Sequence, residues 1–243
     1  MSLSDGENAL LSHVREAREN RETTAPKAEV LGVGVEGAYK VQAAMGEGRE
    51  VLGYKLGLIS PAKQAQMGVD SPIYGRVYKD MILASPVSLG LMIQPRLEPE
   101  LAVVLGEDLP PNASPGAVHR AIGGIFLAVD FLNSIWEDYE FAAVDVIADN
   151  ASGGGFLLGE RLLMEPLEGN LHLYHNGRLL TEGPVRDTGN IGERLAWLSE
   201  TVGGLRAGQA IFVGSPAAAV EAGAGTIELH GPRGSVLVAK LQD

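Results

Sequence analysis

Glu98 and Glu100 stand two residues apart in Arg96-Leu97-Glu98-Pro99-Glu100-Leu101-Ala102-Val103-Val104-Leu105, and Asp130 ends the apolar run from Ala121 to Val129. In a strand, residues i and i+2 point to one face, about 6–7 Å apart. Two glutamates side by side on an otherwise apolar strand repel each other and resist burial. A hard divalent cation removes both difficulties, and an oxygen-only ligand set favours magnesium, manganese or calcium over zinc. The competing reading is an acidic strand face standing in water. Asp130 favours the cation, because its run is of the kind expected deep in a sheet.

Lys55 lies between Gly53 and Gly57, with Tyr54, Leu56 and Leu58 around it. Alternation puts it on the face opposite Tyr54 and Leu56. Most lysines keep the ammonium in water and lay the stem along the surface. An inward lysine beside carboxylates can instead hold an anionic substrate or move a proton. Two small-residue stretches, Asp149-Asn150-Ala151-Ser152-Gly153-Gly154-Gly155 and Gly214-Ser215-Pro216, read first as turns. Their functional reading is a loop that offers backbone N–H groups and a hydroxyl to a carboxylate.

Other patterns carry less. Gly32-Val33-Gly34-Val35-Glu36-Gly37 satisfies G-x-G-x-x-G, with Glu50 18 residues after Gly32. No repeating strand–helix pattern follows, as a doubly wound nucleotide-binding sheet requires. The five histidines, 13, 119, 172, 175 and 230, lack partners at metal-ligand spacing and are read as non-catalytic. No serine sits in a nucleophile elbow.

The elements that must carry these groups are mostly strands. Thirty-two glycines and thirteen prolines imply many turns. Helices are expected over 5–22, where Leu10, Leu11 and Val14 share a stripe, and over 37–44. A strand is expected over 51–58, a short helix from Ser60-Pro61 to Met67, and a late helix over 190–202. Further strands are expected near 83–88, 97–106, 122–131, 156–160, 171–175, 209–214, 226–231 and 235–240. The division that follows is a helical N-terminal region, 1–50, before a strand-rich catalytic domain, 51–243. A chain of 243 residues buries about 70% of its unfolded surface, enough for a sizeable core.

The formal charge of −12 and the absence of a basic stripe argue against nucleic acid. No apolar run approaches the ~20 residues of a membrane span. The start shows neither a basic nor an apolar leader segment. With no cysteine, thiol catalysis and cysteine metal sites are excluded. A cytoplasmic location is the expectation. An acidic surface repels anions at long range, so an anionic substrate needs a local positive centre.

Taken in order, several motifs resemble the fumarylacetoacetate hydrolase superfamily, and within it the branch of 2-oxopent-4-enoate hydratases and 4-oxalocrotonate decarboxylases. They are Gly53-Tyr54-Lys55-Leu56-Gly57-Leu58, Met67-Gly68-Val69-Asp70-Ser71-Pro72-Ile73-Tyr74-Gly75, Gln94 through Glu100, Ile147 through Ser152, and Gly204 through Ser215. The resemblance runs from about residue 35 to the end. It implies an α+β fold, a mixed β-sandwich roll behind a helical N-terminal region, with Mg2+ or Mn2+ and a homo-oligomer. By position, Glu98, Glu100 and Asp130 resemble the metal ligands and Lys55 the active-site lysine. Asn150, Ser152 and Ser215 resemble residues lining the substrate pocket. Departures are Asp130 where the branch commonly has Glu, Ile59 for Thr, Asn133 for Asp, Thr188-Gly189-Asn190 for a Gly-His-Pro-like stretch, and Gly153 and Gly155 where larger residues are common.

The leading expectation is a metal-dependent lyase that decarboxylates a 2-oxo-3-enedioate in the meta-cleavage catabolism of aromatic compounds. Loss of CO₂ leaves a dienolate, whose charge a cation stabilises. Lys55 would hold a carboxylate or deliver a proton. The alternative is the hydratase, which needs a further acid or base over C4 and C5. Hydratases of the branch tend to carry Asp where this chain has Ile73, and Trp136 through Phe141 also resembles the decarboxylases. An acylpyruvate C–C hydrolase is a third reading, with no Glu-His pair visible to activate water. A non-catalytic subunit bound to a pathway partner enzyme is a fourth. The Gly153-Gly154-Gly155 stretch would fit a degraded pocket there, and the intact Lys55, Glu98, Glu100 and Asp130 argue against it.

Overall fold

The computed structural model describes residues 2–163 and 167–243. The chain runs α1 (Asp5–Asn20), α2 (Val35–Met45), β1 (Val51–Gly57), α3 (Pro61–Met67), β2 (Ile73–Tyr78), β3 (Val87–Ser88), β4 (Pro95–Leu105), α4 (Pro115–Ala121) and β5 (Ile122–Asn133). It continues through α5 (Ala143–Ala148), β6 (Gly153–Leu158), β7 (Asn170–His175), β8 (Arg178–Pro184), α6 (Ile191–Val202), β9 (Ala210–Phe212), β10 (Val220–Glu221), β11 (Gly225–Gly231) and β12 (Ser235–Gln242). One sheet has the order β2-β1-β9-β4-β5-β6, with β10 also on β4, and the other has β3-β12-β11-β7-β8.

Register explains why the central strands read as unbroken apolar runs. Leu101, Val103 and Leu105 of β4, and Leu127, Val129 and Phe131 of β5, pack with Leu173, Leu229 and Ala239 of the second sheet. The even-numbered residues point to the opposite face, where Ala102 and Ala128 pack with Phe156 and Phe212. Both faces are therefore covered, and neither strand needs polar alternation. Glu98 and Glu100 belong to the even face, and Glu98 pairs directly with Asp130 across the ladder.

Pro99 sits within β4, where a missing N–H would ordinarily break a ladder. Here β10 pairs with residues 96 and 97 and β9 with residues 102 to 104, so Pro99 falls in the gap between them. The Ser215 hydroxyl fills that gap by donating to the Pro99 carbonyl at 2.9 Å. One proline thus opens the sheet edge beside the glutamates and admits the Gly214-Ser215 turn.

The N-terminal helices form a layer of their own. Ser4 and Glu7 make a reciprocal capping box that starts α1. Leu10, Leu11, Val14 and Val41 pack with Trp136 and Ile147, so α1 and α2 cover α5 and the end of β5. Gln42 donates to the carbonyls of Tyr74 and Ile147, and Asp145 accepts from the backbone N–H groups of Lys27 and Ala28. The G-x-G-x-x-G stretch follows a turn, and Gly34 starts α2 with no strand before it. Among the described residues no helix is long and apolar enough to cross a membrane.

Sequence expectation differs from structure at several elements. The strand expected near 83–88 is only Val87–Ser88. β2, β8, α4 and α5 were not anticipated. The glycine triplet 153–155, expected as a turn, begins β6 and pairs with Phe131 and Leu132. Gly154 is required by packing, because a Cβ there would lie 2.4 Å from Asn133 Cβ and 2.6 Å from the Phe131 carbonyl oxygen, and one on Gly155 would lie 2.5 Å from Leu83 Cδ1 and displace that side chain. The triplet is a closely packed strand, which removes the support it lent to a degraded pocket.

Candidate functional site

Glu98, Glu100 and Asp130 converge so that one carboxylate oxygen from each lies within 4.8 Å of the others. Among the described residues no other group of three acidic or histidine side chains does so. Glu100 and Asp130 are fully buried, and Glu98 is half-buried. A solvated strand face is excluded by that burial. Lys55 completes the cluster: its Nζ lies 2.8 Å from Asp130 Oδ2 and donates to the Ala151 carbonyl at 2.9 Å.

Polar satisfaction is incomplete on the side facing the cluster centre. Glu100 Oε2 accepts from the Gly214 N–H at 3.1 Å. Glu100 Oε1 and Asp130 Oδ1 are buried without any hydrogen-bond partner. Unpaired buried carboxylate oxygens are costly unless something fills the space between them. Three carboxylates and one ammonium leave two negative charges when all are ionised, which matches one divalent cation. The oxygen donors are those that magnesium and calcium prefer. The residues present therefore fit a hard divalent cation.

The titration behaviour follows from burial. Desolvation pushes the Asp130 carboxyl up to about 6 against the pull of Lys55. Desolvation, then the charges of Asp130 and Glu98, drive Glu100 well above the usual carboxylate range. Burial alone would lower Lys55, but the charges of Asp130, Glu98 and Glu100 outweigh it and hold the ammonium above its ordinary value.

A cavity of about 270 Å³ opens over the cluster, small beside the ~300–1,000 Å³ of sites for drug-sized ligands. Lys55, Glu98, Ser152 and Ser215 reach it. Ile59, Ile73, Leu132, Phe141 and Val146 supply apolar wall. The Ser152 hydroxyl is buried with no partner. Ser215 faces the cavity, but its hydroxyl is engaged with the Pro99 carbonyl and the Ala217 backbone.

Asn150 is not among the residues that line this cavity. It accepts from the Arg76 N–H at 2.7 Å and donates to the Arg76 carbonyl at 2.8 Å, bracing the loop on β2. That loop is strained: Asn150, Ala151 and Ser152 have φ of 52, 53 and 55°. Left-handed backbone costs about 1–2 kcal/mol per non-glycine residue. The conformation turns the Ala151 carbonyl to Lys55 and brings Ser152 to the cavity wall. Asp149 holds the loop from behind, accepting from Arg18 at 2.6 and 2.8 Å and from the Ile135 N–H.

Sequence reasoning also missed Tyr139, Lys63 and Gln66, which line the same cavity. Tyr139 donates to the Gln94 carbonyl at 2.7 Å, so it offers a ring wall. Gly214, at φ +93°, admits no side chain, because a Cβ there would lie 2.5 Å from Ile59 Cγ2. Its only warning in sequence was a small residue at a strand end. The histidines stay apart from the cluster: His172 pairs with Glu182, and His230 with Glu228.

Residues 62–240 match the family described as fumarylacetoacetate (FAA) hydrolase C-terminal, well over half of the chain. The chain belongs to the fumarylacetoacetate hydrolase family. Among fumarylacetoacetate hydrolase relatives, a 2-keto-4-pentenoate hydratase from Paraburkholderia phymatum is 31% identical over 95% of both chains. A 4-oxalocrotonate decarboxylase from a Pseudomonas species is 39% identical over 114 residues, 46% of this chain and 44% of that one. The solved 4-oxalocrotonate decarboxylase from Pseudomonas putida G7, complexed with magnesium and adipate, superposes with a TM-score of 0.89. It is 26% identical, and the alignment covers 99% of each chain. The expected α+β roll is thus the fold observed, and the expected branch is the one found.

Proposed function

We propose that this chain is a lyase that decarboxylates a 2-oxo-3-enedioate of the 4-oxalocrotonate type, with Mg2+ or Mn2+ held by Glu98, Glu100 and Asp130. The observation that carries the reading is the buried cluster itself: three carboxylates with orphaned oxygens beside Lys55, under a small, largely apolar cavity. The whole-chain superposition on a decarboxylase that contains magnesium supports it.

When bound, a divalent cation supplies Lewis-acid charge for the carboxylate and 2-oxo oxygens of such a substrate. Lys55 has three N–H donors. Two are engaged by Asp130 and Ala151, leaving one for the substrate. Its ammonium is held charged, so it can donate to oxygen or carbon that gains negative charge. The free Ser152 hydroxyl is a second donor. Ile73, Leu132, Phe141 and Val146 exclude water from the carbon skeleton, which favours loss of CO₂ over addition of water.

The second reading is 2-oxopent-4-enoate hydration, favoured by the 31% identity with a hydratase along nearly the whole chain. The homo-oligomer implied by the resemblance belongs to the same proposal and is checked by light scattering. The deciding experiment incubates the protein and Mg2+ with 2-oxo-3-hexenedioate and with 2-hydroxypenta-2,4-dienoate, followed by NMR. CO₂ release from the first acid supports the proposal. Hydration of the second without any CO₂ release would install the second reading.

A further inference from the structure

The cavity has a second cation that the cluster does not use. α3 follows β1, and its Lys63, Gln66 and Met67 face the cavity at i, i+3 and i+4. The helix is fixed at its start, where Ser60 Oγ accepts from the Lys63 N–H and Gln64 donates to the Leu58 carbonyl at 2.8 Å. It ends on Gly68 at φ +67°. Lys63 is exposed at the mouth and forms no ion pair among the described residues. The one other cation lining the cavity is Lys55, whose ammonium is engaged by Asp130 and Ala151. The rest of the lining includes the apolar Leu56, Ile59 and Ile73, and its one acidic residue is Glu98.

The cavity thus combines an engaged ammonium, one unpaired among the described residues and a largely apolar wall. From it we infer that Lys63 reads a second carboxylate on the substrate, selecting 2-oxo dicarboxylates over 2-oxo monocarboxylates. The inference rests on the proposed reading of the cavity as a 2-oxo acid site. A net charge of −12 repels a dianion, so a second carboxylate must meet a local cation to be held. Partial exposure suits the task. A dry, tight ion pair would stabilise a carboxylate that must later leave as CO₂. A solvated ammonium holds the dianion while stabilising that ground state little.

The test is calorimetry on the Mg2+-loaded protein with 2-oxoadipate and 2-oxohexanoate, two saturated acids of equal length that differ in the far carboxylate. The wild type should prefer 2-oxoadipate about fivefold, the upper end for an exposed ion pair. Lys63→Met should lose that preference, Lys63→Arg should keep it, and added salt should erode it in the wild type. A Lys63→Met variant that keeps the wild-type preference, or a wild type with no preference, would overturn the role of Lys63 alone. A wild type that binds neither acid would overturn the 2-oxo acid reading and this inference with it.

Discussion

Lys55 and Asp130 form an ion pair of 2.8 Å in which the two side chains are 3% and 0% exposed. Taking two charges out of water costs several kcal/mol each, and a single pairing only partly offsets it. The pair lies against Glu100, whose carboxylate has one oxygen on Gly214 and the other on nothing. The cluster is therefore short of positive charge, and its stability depends on what binds there.

A divalent cation should raise thermal stability. At one hundred times its dissociation constant, a ligand adds about 2.7 kcal/mol. For a chain of this size that is a rise in Tm of about 5–11 °C. Scanning fluorimetry of chelator-treated protein, before and after Mg2+ or Mn2+, measures it. No shift with either ion at millimolar concentration would contradict the metal assignment.

The same groups set a pH dependence for the metal-free protein. Asp130 is raised from 3.8 to about 6, and Glu100 is raised well above its usual value. A carboxyl whose folded value exceeds its unfolded one binds more protons in the folded state, so stability falls as pH rises through that interval. Lys55, held above 10.5, stays charged there and adds no slope. Urea midpoints of metal-free protein should thus drop as pH rises from about 4 to 6, with Glu100 extending the drop upward. Glu100→Gln should show a smaller drop, and saturating Mg2+ should reduce it in the wild type, because cations bind the deprotonated ligands. Equal drops in wild type and variant would assign the slope to other acids.

Glu98→Gln and Glu100→Gln should each weaken metal binding and lower turnover by about 100-fold or more, the scale for losing a group that supports transition-state charge. The fold should persist, since a neutral amide relieves repulsion in the metal-free cluster. Circular dichroism, metal content and steady-state rates measure the three effects. Native metal content with native rates in both variants would return the pair to a structural role.

Lys55→Met should cost both activity and metal-free stability. Breaking a buried pair by removing one partner costs about 3–5 kcal/mol. Asp130 limits that loss by taking up a proton, because its carboxyl is already raised. If Lys55 donates a proton, kcat falls; if it only anchors substrate, KM rises and kcat holds. Normal values of both would leave it without a catalytic role.

Much of this site was legible in sequence because its chemistry is local. Glu98 and Glu100 share a face by alternation alone, and Asp130 sits at the end of a run too apolar for a surface strand. The pairing of Glu98 with Asp130 was not legible, since register is set by tertiary packing. β2 escaped notice because Gly75 and Arg76 interrupt its pattern. Gly75 is there for clearance, as a Cβ would lie 2.4 Å from the Asn150 carbonyl oxygen. The bonds from the Asn150 amide to the backbone of Arg76, 74 residues away in sequence, were not legible either. Lys63 was overlooked because a lysine on a short, unburied helix gives no signal until the helix is seen to border the cavity.

Ile73 gives the sharpest test between decarboxylation and hydration. It is 4% exposed, begins β2 opposite Gly57, and forms part of the wall near Lys55. At that point the wild type offers no group to activate or deliver water near C4 and C5 of a bound acid. It should release CO₂ from 2-oxo-3-hexenedioate faster than it hydrates 2-hydroxypenta-2,4-dienoate. Ile73→Asp puts a carboxyl in the apolar cluster that includes Val146 and Ile147, where desolvation favours its neutral form. The variant should lose about 2–5 kcal/mol of stability, the scale for removing a buried aliphatic side chain. Its decarboxylation should fall, and its hydration of the dienoate should rise relative to decarboxylation, because a protonated carboxyl there is an acid over the reacting carbons. Ile73→Val, which keeps the wall apolar, should leave the ratio of the two activities unchanged. Both substrates are assayed side by side for all three proteins at a temperature where each is folded. A ratio that moves equally in Ile73→Val and Ile73→Asp would show that packing, and not the carboxyl, sets the outcome.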